Sequence, residues 1–286
     1  MTAAIGQGRP LRFGFVTCVE LGLSCLEEIY DLGGSVDLLM TLHDDRAVNK
    51  SGRIYLDEFA QEHDVSLMKI RHVNDEDAVS AVRDHEIDWL FIIGWSQIAG
   101  RDMLGAPTRG VVGMHPTLLP VGRGRAAVPW AIIKGLDKTG VTMFVLDEGV
   151  DTGAILGQVE VPIETYEDAS SLYDKVNAAH RELMRIVWPS LVNDSVNAVA
   201  QDEALATEWP GRRPEDGAIF PNMTVTEVDR LVRGVTHPYP GAFWVANDVR
   251  WRVWKGQPGE LPEAALVLDL VDGKYSCTEA EREPAE

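Results

Sequence analysis

Positive charge is scarce in this chain. Its 286 residues carry 26 Lys and Arg against 45 Asp and Glu, a formal charge of −19, whereas a polyanion such as tRNA is held largely through Lys and Arg contacts to phosphate. Extended nucleic-acid binding is therefore not expected, although one or two local cations suffice for a small anionic ligand. Cysteine is scarce too. Cys18, Cys25 and Cys277 cannot all pair within one chain and lack metal-ligand spacing, so reduced thiols and no metal site are expected, with Cys18 and Cys25 as small core hydrophobes. No apolar run approaches the roughly 20 residues that cross a bilayer. The opening MTAAIGQGRPLR has no apolar leader segment, which predicts a cytoplasmic protein without a membrane partner. A GxGxxG fingerprint is also missing, so a dinucleotide site is not supported.

What is present is an alternation of strand-like and helix-like segments, with 45% hydrophobic residues to build a sizeable core. Leu11–Val16, Val36–Leu42, Val65–Ile70 and the very apolar Asp88–Ser96 read as buried strands. Between them, Cys18–Leu32, Ile54–Glu62 and Asp75–His85 read as helices, the first stopped by Gly33-Gly34. This order predicts a Rossmann-like α/β domain on a parallel sheet. His43, Asp44, Asp45 and Arg46 follow the second strand at the end of the sheet where ligands bind, and read either as a solvated loop or as substrate contacts.

Further along, Leu172, Val176, Ala179, Leu183 and Ile186 make one apolar face of a helix over Ala169–Trp188. Composition turns polar near Asp194, and Gln201 to Pro210 looks like a crossover into a smaller unit of short strands with proline and glycine turns. The expected division is thus an α/β domain over 1–200 and a β-rich domain over 201–286. The second segment holds 16 acidic residues against 9 basic ones, the wrong balance for a tRNA-binding domain. Its tail, EAEREPAE, reads as a frayed charged end.

Potential reaction chemistry gathers between Gly110 and Gly153. An apolar run from Gly110 to Met114 ends at His115, and Pro116 forces the chain into a loop there. A second run, Val141 to Leu146, ends in Asp147, Glu148 and Gly149, then Asp151, Thr152 and Gly153, a tight loop carrying carboxylates. Taken singly, a His before Pro can cap a strand and Asp-Thr-Gly can be a turn. If the strands are neighbours, His115 and Asp151 meet.

Together, HPTLLP, Arg123-Gly124, PWAI, TGVT and DTG, in that order, resemble the formyltransferase family. Its members include methionyl-tRNA, glycinamide ribonucleotide and sugar-nucleotide N-formyltransferases, which use N10-formyltetrahydrofolate. RRPEDGAI and RGVTHPYPGAF resemble the carboxy-terminal subdomain of some members, so the likeness covers most of the chain. It implies a Rossmann-like formyltransferase domain followed by a smaller β-rich domain.

The resemblance also implies site residues. His115 and Asp151 would be catalytic, with Asp151 orienting the imidazole. FIIGWSQI and MLGAP resemble the loop lining the pterin pocket, with Trp95, Gln97, Ile98 and Leu104 on the folate, although Trp95 reads equally as core. Asp147 and Val150 would add folate contacts. Arg123 and Arg125, in a mobile cationic loop, would receive a diphosphate or steer an anionic substrate, with Thr117 beside them. The implied acceptor is a small amine, nucleotide-linked. A homodimer is allowed without being specified.

One position departs from the family. Its usual catalytic asparagine, two residues before the histidine, is here Gly113, which offers no side-chain donor to the formyl oxygen. Gln97 is the first candidate to replace it, with Ser96, Thr117, a main-chain N–H or water as the others. A methionyl-tRNA formyltransferase, a folate-binding protein without efficient transfer, and a deformylase are the alternative readings.

Overall fold

Short runs of fully buried apolar residues set the frame. In the computed structural model, residues 9–46, 53–246 and 248–284 are described, and part of the expected polar stretch after the second strand, 47–52, lies outside them. The expected alternation is present as β1 (Phe13–Val16), α1 (Glu20–Asp31), β2 (Leu38–Leu42), α2 (Asp57–Glu62), β3 (Ser66–Ile70), α3 (Glu76–Asp84) and β4 (Trp89–Ile92). The chain continues through α4 (Arg101–Leu104), β5 (Gly110–His115), β6 (Arg123–Gly124), α5 (Ala127–Ile133), β7 (Lys138–Val145), β8 (Ile155–Pro162) and α6 (Ala169–Val192). Last come β9 (Glu208–Trp209), α7 (Val225–Val235), β10 (Ala242–Ala246), β11 (Val249–Pro258), β12 (Leu266–Leu270) and β13 (Gly273–Pro284).

Seven strands form one sheet in the order β3-β2-β1-β4-β5-β7-β8. Strands β3 through β5 run parallel, as expected, but β5 and β7 are antiparallel, so the sheet is mixed. Strand β4 stops at Ile92 instead of Ser96, because the backbone turns left-handed at Gly94 (φ 66) and leaves the ladder there. Among the described residues no helix is long and apolar enough to cross a membrane.

By contacts, the chain forms two compact units. The first comprises Met1–His115, Thr142–Gln158 and His180–Gln201; the second comprises Pro116–Val141, Val159–Ala179 and Asp202–Glu286. In the first unit, Leu38, Met40, Ile70, Val79, Leu90 and Val111 belong to one core cluster, and Trp188 of α6 packs on Phe13 with ring centres 4.4 Å apart. The apolar face of α6 bends away from its expected path: Ile186 is 56% exposed, and burial passes to Met184, Val187, Trp188 and Leu191. The three cysteines are free and buried. Burial pushes the Cys25 thiol up to about 12, which leaves it inert.

An ion cluster links α1 to α6 in this unit. Glu28 is 2% exposed and accepts from Arg181 Nε (2.9 Å) and Arg185 Nη2 (2.8 Å). Burial pushes its carboxyl up, but the two guanidiniums outweigh that and hold it below the usual range. A lowered folded-state value contributes stability that is complete above the unfolded value of about 4.3 and is lost as pH falls through the folded one. Glu28→Gln should therefore flatten the loss of urea resistance between about pH 4.3 and acid. At neutral pH it should cost about 1–3 kcal/mol, toward the lower end because both arginines are partly exposed and can rehydrate.

The second unit holds a four-stranded antiparallel sheet, β10-β11-β13-β12, with α7 packed on it through Val228, Leu231, Val232 and Val235. Thr224 and Glu227 form a capping box at the start of α7. The expected frayed tail is instead strand β13, paired with β11 as far as Pro284. Its acidic residues are answered across the ladder: Glu283 by Arg252 (3.1 Å) and Glu279 by Lys255 (3.1 Å), which turns a charged end into a paired strand.

Candidate active site

His115 is the last residue of β5, between β4 on one side and β7 on the other. Its ladder partner on β7 is Thr142, and Gly113 is opposite Phe144. Directly opposed residues point to the same face of a sheet, so His115, Thr142, Gly113 and Phe144 share one face. Thr142 is fully buried, and its hydroxyl accepts from Gln158 Nε2 at 2.8 Å.

His115 meets Asp151. The Nδ1 to Oδ2 distance is 3.5 Å, with side chains 10% and 18% exposed. That is ion-pair range and longer than a good hydrogen bond, a spacing that free enzymes often tighten when substrate arrives.

The loop carrying Asp151 is held from several sides. Asp151 itself is left-handed (φ 56), a conformation Asp tolerates better than most residues. Asp147 Oδ1 accepts from the Gly149 N–H (3.0 Å) and the Thr152 hydroxyl (2.6 Å). A Cβ at Gly153 would run into the Val145 carbonyl, so only glycine allows the loop to rejoin the sheet there. Gln201 closes the arrangement, its Nε2 donating to the carbonyls of Asp151 and Gly153, both at 2.8 Å. Asp147, expected on the folate, thus spends one oxygen on its own turn. Gln201, expected in a crossover, clamps the Asp151 loop.

The 95–104 segment is likewise internally tied. Gln97 Oε1 accepts from the Val73 N–H (2.8 Å) and Trp95 Nε1 (3.2 Å), while Nε2 donates to the Arg71 carbonyl (2.9 Å). The oxygen and one Nε2 hydrogen are thus engaged, which leaves the second Nε2 hydrogen for a further acceptor. Trp95 and Leu104 pack against the core cluster, whereas Ile98 is 79% and Val150 59% exposed. Arg101 Nε and Nη2 grip Glu148 at 2.9 and 3.1 Å, tying this segment to the Asp151 loop. After β2, His43 Nδ1 lies 2.8 Å from Asp45, whose carboxylate also pairs with Arg71, just past β3, at 2.6 Å.

Gly113 has an unexpected neighbour. It lies in regular strand backbone, and a Cβ there would come 2.6 Å from Leu146 Cδ2. The leucine fills the space into which any side chain at 113 would project.

The remaining expected residues lie in the second unit. Thr117 is 1% exposed. Arg123 is 4% exposed and bound at both ends of its guanidinium by Glu203, at 2.9 and 2.7 Å. A buried, neutralised arginine is a structural tie and does not fit an anion receptor. Nor is its loop loose: β6 pairs in parallel with β9. Arg125 is exposed.

Sequence reasoning missed Gln158, Gln201 and Leu146. TGVT contained Thr142, yet nothing in the order of residues tied it to Gln158 or Gln201 to the Asp151 loop, since both ties are long-range side-chain contacts.

Comparison with known proteins identifies the family. The formyl transferase pattern matches residues 36–187, and the formyl transferase C-terminal domain pattern matches 212–271. A methionyl-tRNA formyltransferase of Ruminiclostridium cellulolyticum is 32% identical over 244 residues, 84% of this chain and 78% of that protein. Among solved structures, WlaRD, a sugar 3N-formyl transferase crystallised with dTDP and 5-N-formyl-THF, superposes with a TM-score of 0.71 at 16% identity, covering 96% of this chain and 98% of that one. An N-formyltransferase from Helicobacter canadensis in complex with folinic acid and dTDP-3-aminofucose gives 0.70 at 16% identity, covering 95% and 100%. The strand-end histidine, the clamped Asp151 loop and these matches over most of the chain place it in the formyl transferase family, as a formyl-transferring enzyme.

Proposed function

We propose that the enzyme moves the formyl group of N10-formyltetrahydrofolate onto the amine of a small nucleotide-linked amino sugar, with His115 and Asp151 as the reacting pair. The observation that carries this reading is the 3.5 Å approach of their side chains at the end of β5. The amine nitrogen attacks the formyl carbon, and the carbonyl electron pair moves onto oxygen. With Nδ1 turned to Asp151, Nε2 of His115 takes the proton that the attacking nitrogen loses. On collapse the bond from the formyl carbon to the folate nitrogen breaks, and the imidazolium returns the proton to that nitrogen. While it lasts, the imidazolium offsets the oxyanion charge that Gly113 cannot meet, and the Asp151 carboxylate stabilises the imidazolium.

A folate donor is supported by the two loops tied through Arg101 and Glu148, which expose Ile98 and Val150 as apolar surface for a flat ring. It is also the ligand type named for WlaRD and the Helicobacter canadensis enzyme. Those two enzymes were likewise crystallised with dTDP or a dTDP sugar, and the acidic balance of the chain favours such an acceptor over RNA. Residues 1–200 would carry the catalysis, with 201–286 as an accessory domain.

Methionyl-tRNA is the second reading, favoured by the 32% identical relative. Binding separates the two. Folinic acid should bind, and initiator tRNA should show no salt-sensitive affinity at physiological ionic strength in a filter assay. Tight, salt-sensitive retention of the tRNA would promote the second reading.

A further inference from the structure

In the second unit Arg125 lies beside the chain that leads into Arg212 and Arg213. Pairing of β6 with β9 brings the Arg125 N–H to the Trp209 carbonyl at 3.2 Å. The Arg125 side chain then runs along Gly211, where a Cβ would sit 3.6 Å from Arg125 Cδ. The next residue, Arg212, is half-buried with its guanidinium carbon 4.8 Å from the centre of the Trp130 ring. Trp130 is fixed through Nε1 to the Pro210 carbonyl at 2.8 Å, and the Lys134 ammonium approaches the same ring at 5.4 Å.

Arg212 Nη2 donates to the Asp216 main-chain carbonyl at 2.6 Å. The Asp216 carboxylate is engaged elsewhere, accepting the Arg213 N–H at 2.6 Å. Among the described residues no carboxylate is ion-paired with Arg125, Arg212 or Arg213, in contrast to Arg123 with Glu203. Burial holds the Arg212 guanidinium below its ordinary value, and Asp216 offsets only part of that. A desolvated cation over an aromatic ring is complete once an anion joins it.

A small cavity of about 140 Å³ is lined by Arg212 and Arg213 together with Ala126, Pro129, Tyr239 and Gly241. Pockets that enclose whole small molecules run to about 300–1,000 Å³, so it excludes a nucleoside and admits at most one phosphoryl group of a diphosphate. A guanidinium fork is the side chain best shaped for that group.

We propose that Arg125, Arg212 and Arg213, arrayed beside Trp130, bind the diphosphate of the acceptor. This rests on the nucleotide-linked reading above and gives it a site. Titration calorimetry of the full chain with dTDP, inorganic pyrophosphate and thymidine tests it. The first two should bind and thymidine should not. Arg125→Glu, Arg213→Glu and Arg212→Gln should each weaken both diphosphates by about tenfold or more. Arg125 and Arg213 are exposed, so their variants report on binding even if Arg212→Gln fails to fold.

Failure of both diphosphates to bind, or unchanged affinity in the two exposed variants, overturns the site. Folinic acid is titrated alongside. Retained folinic acid binding without pyrophosphate binding rejects this site alone, whereas pyrophosphate binding without folinic acid binding rejects the folate reading and leaves the site standing. Initiator tRNA held through these three arginines, with dTDP not bound, would replace the small nucleotide by RNA and reject the proposal.

Discussion

His115→Ala should lower turnover by about 10²- to 10⁴-fold, the usual contribution of a positioned general acid–base group. Affinity for folinic acid should stay nearly unchanged, because the imidazole acts on the protons of the reacting atoms and its contacts strengthen chiefly in the transition state. Asp151→Asn should act in the same direction with a smaller loss, since the imidazole remains but loses the carboxylate that stabilises its charged form. Steady-state rates with calorimetric folinic acid binding check both. If His115→Ala leaves turnover within a few-fold of the wild type, the proton path does not run through β5.

The second large effect concerns Gly113 and Leu146. Gly113→Asn alone should cost about 1–3 kcal/mol, because the new side chain enters a space already filled, and it should gain no rate. Where a Cβ would stand, Leu146 Cδ2 is 2.6 Å away. Leu146→Ala opens that space at the cost of a partly buried leucine. Combined, the two changes should cost less than their sum by about 1 kcal/mol or more and admit a side-chain donor, with turnover rising by up to about 10²-fold. Urea unfolding and turnover of all four proteins in the cycle measure this. Strict additivity in both would mean that Leu146 does not guard the position. In that account Gly113 is the small half of a glycine–leucine pair.

Much of this was legible before any coordinates. The β-α order, His115 at a strand end and the tight Asp151 loop all follow from local patterns: apolar runs, a proline after histidine, a cluster of turn residues. Local patterns failed where long-range partners decide. Arg123 and Arg125 look alike in GRGR, yet Glu203 neutralises the first and leaves the second exposed. Gln97 looks like a spare amide, yet Val73, Trp95 and Arg71 hold its oxygen and one of its two N–H donors. The acidic tail looks frayed until Arg252 and Lys255 answer it across a ladder. Strand β7 shows the same limit for direction: its apolar pattern marks a strand, but only pairing with β5 makes it antiparallel.

The most direct test of formyl transfer to a nucleotide-linked amine is to offer the enzyme N10-formyltetrahydrofolate with a panel of nucleotide amino sugars and, separately, methionyl-tRNA, and to weigh each acceptor afterwards. The account predicts a formylated amino sugar whose yield collapses in His115→Ala, and no formylated methionyl-tRNA. Formylation of methionyl-tRNA alone, or of no acceptor at all, would contradict it.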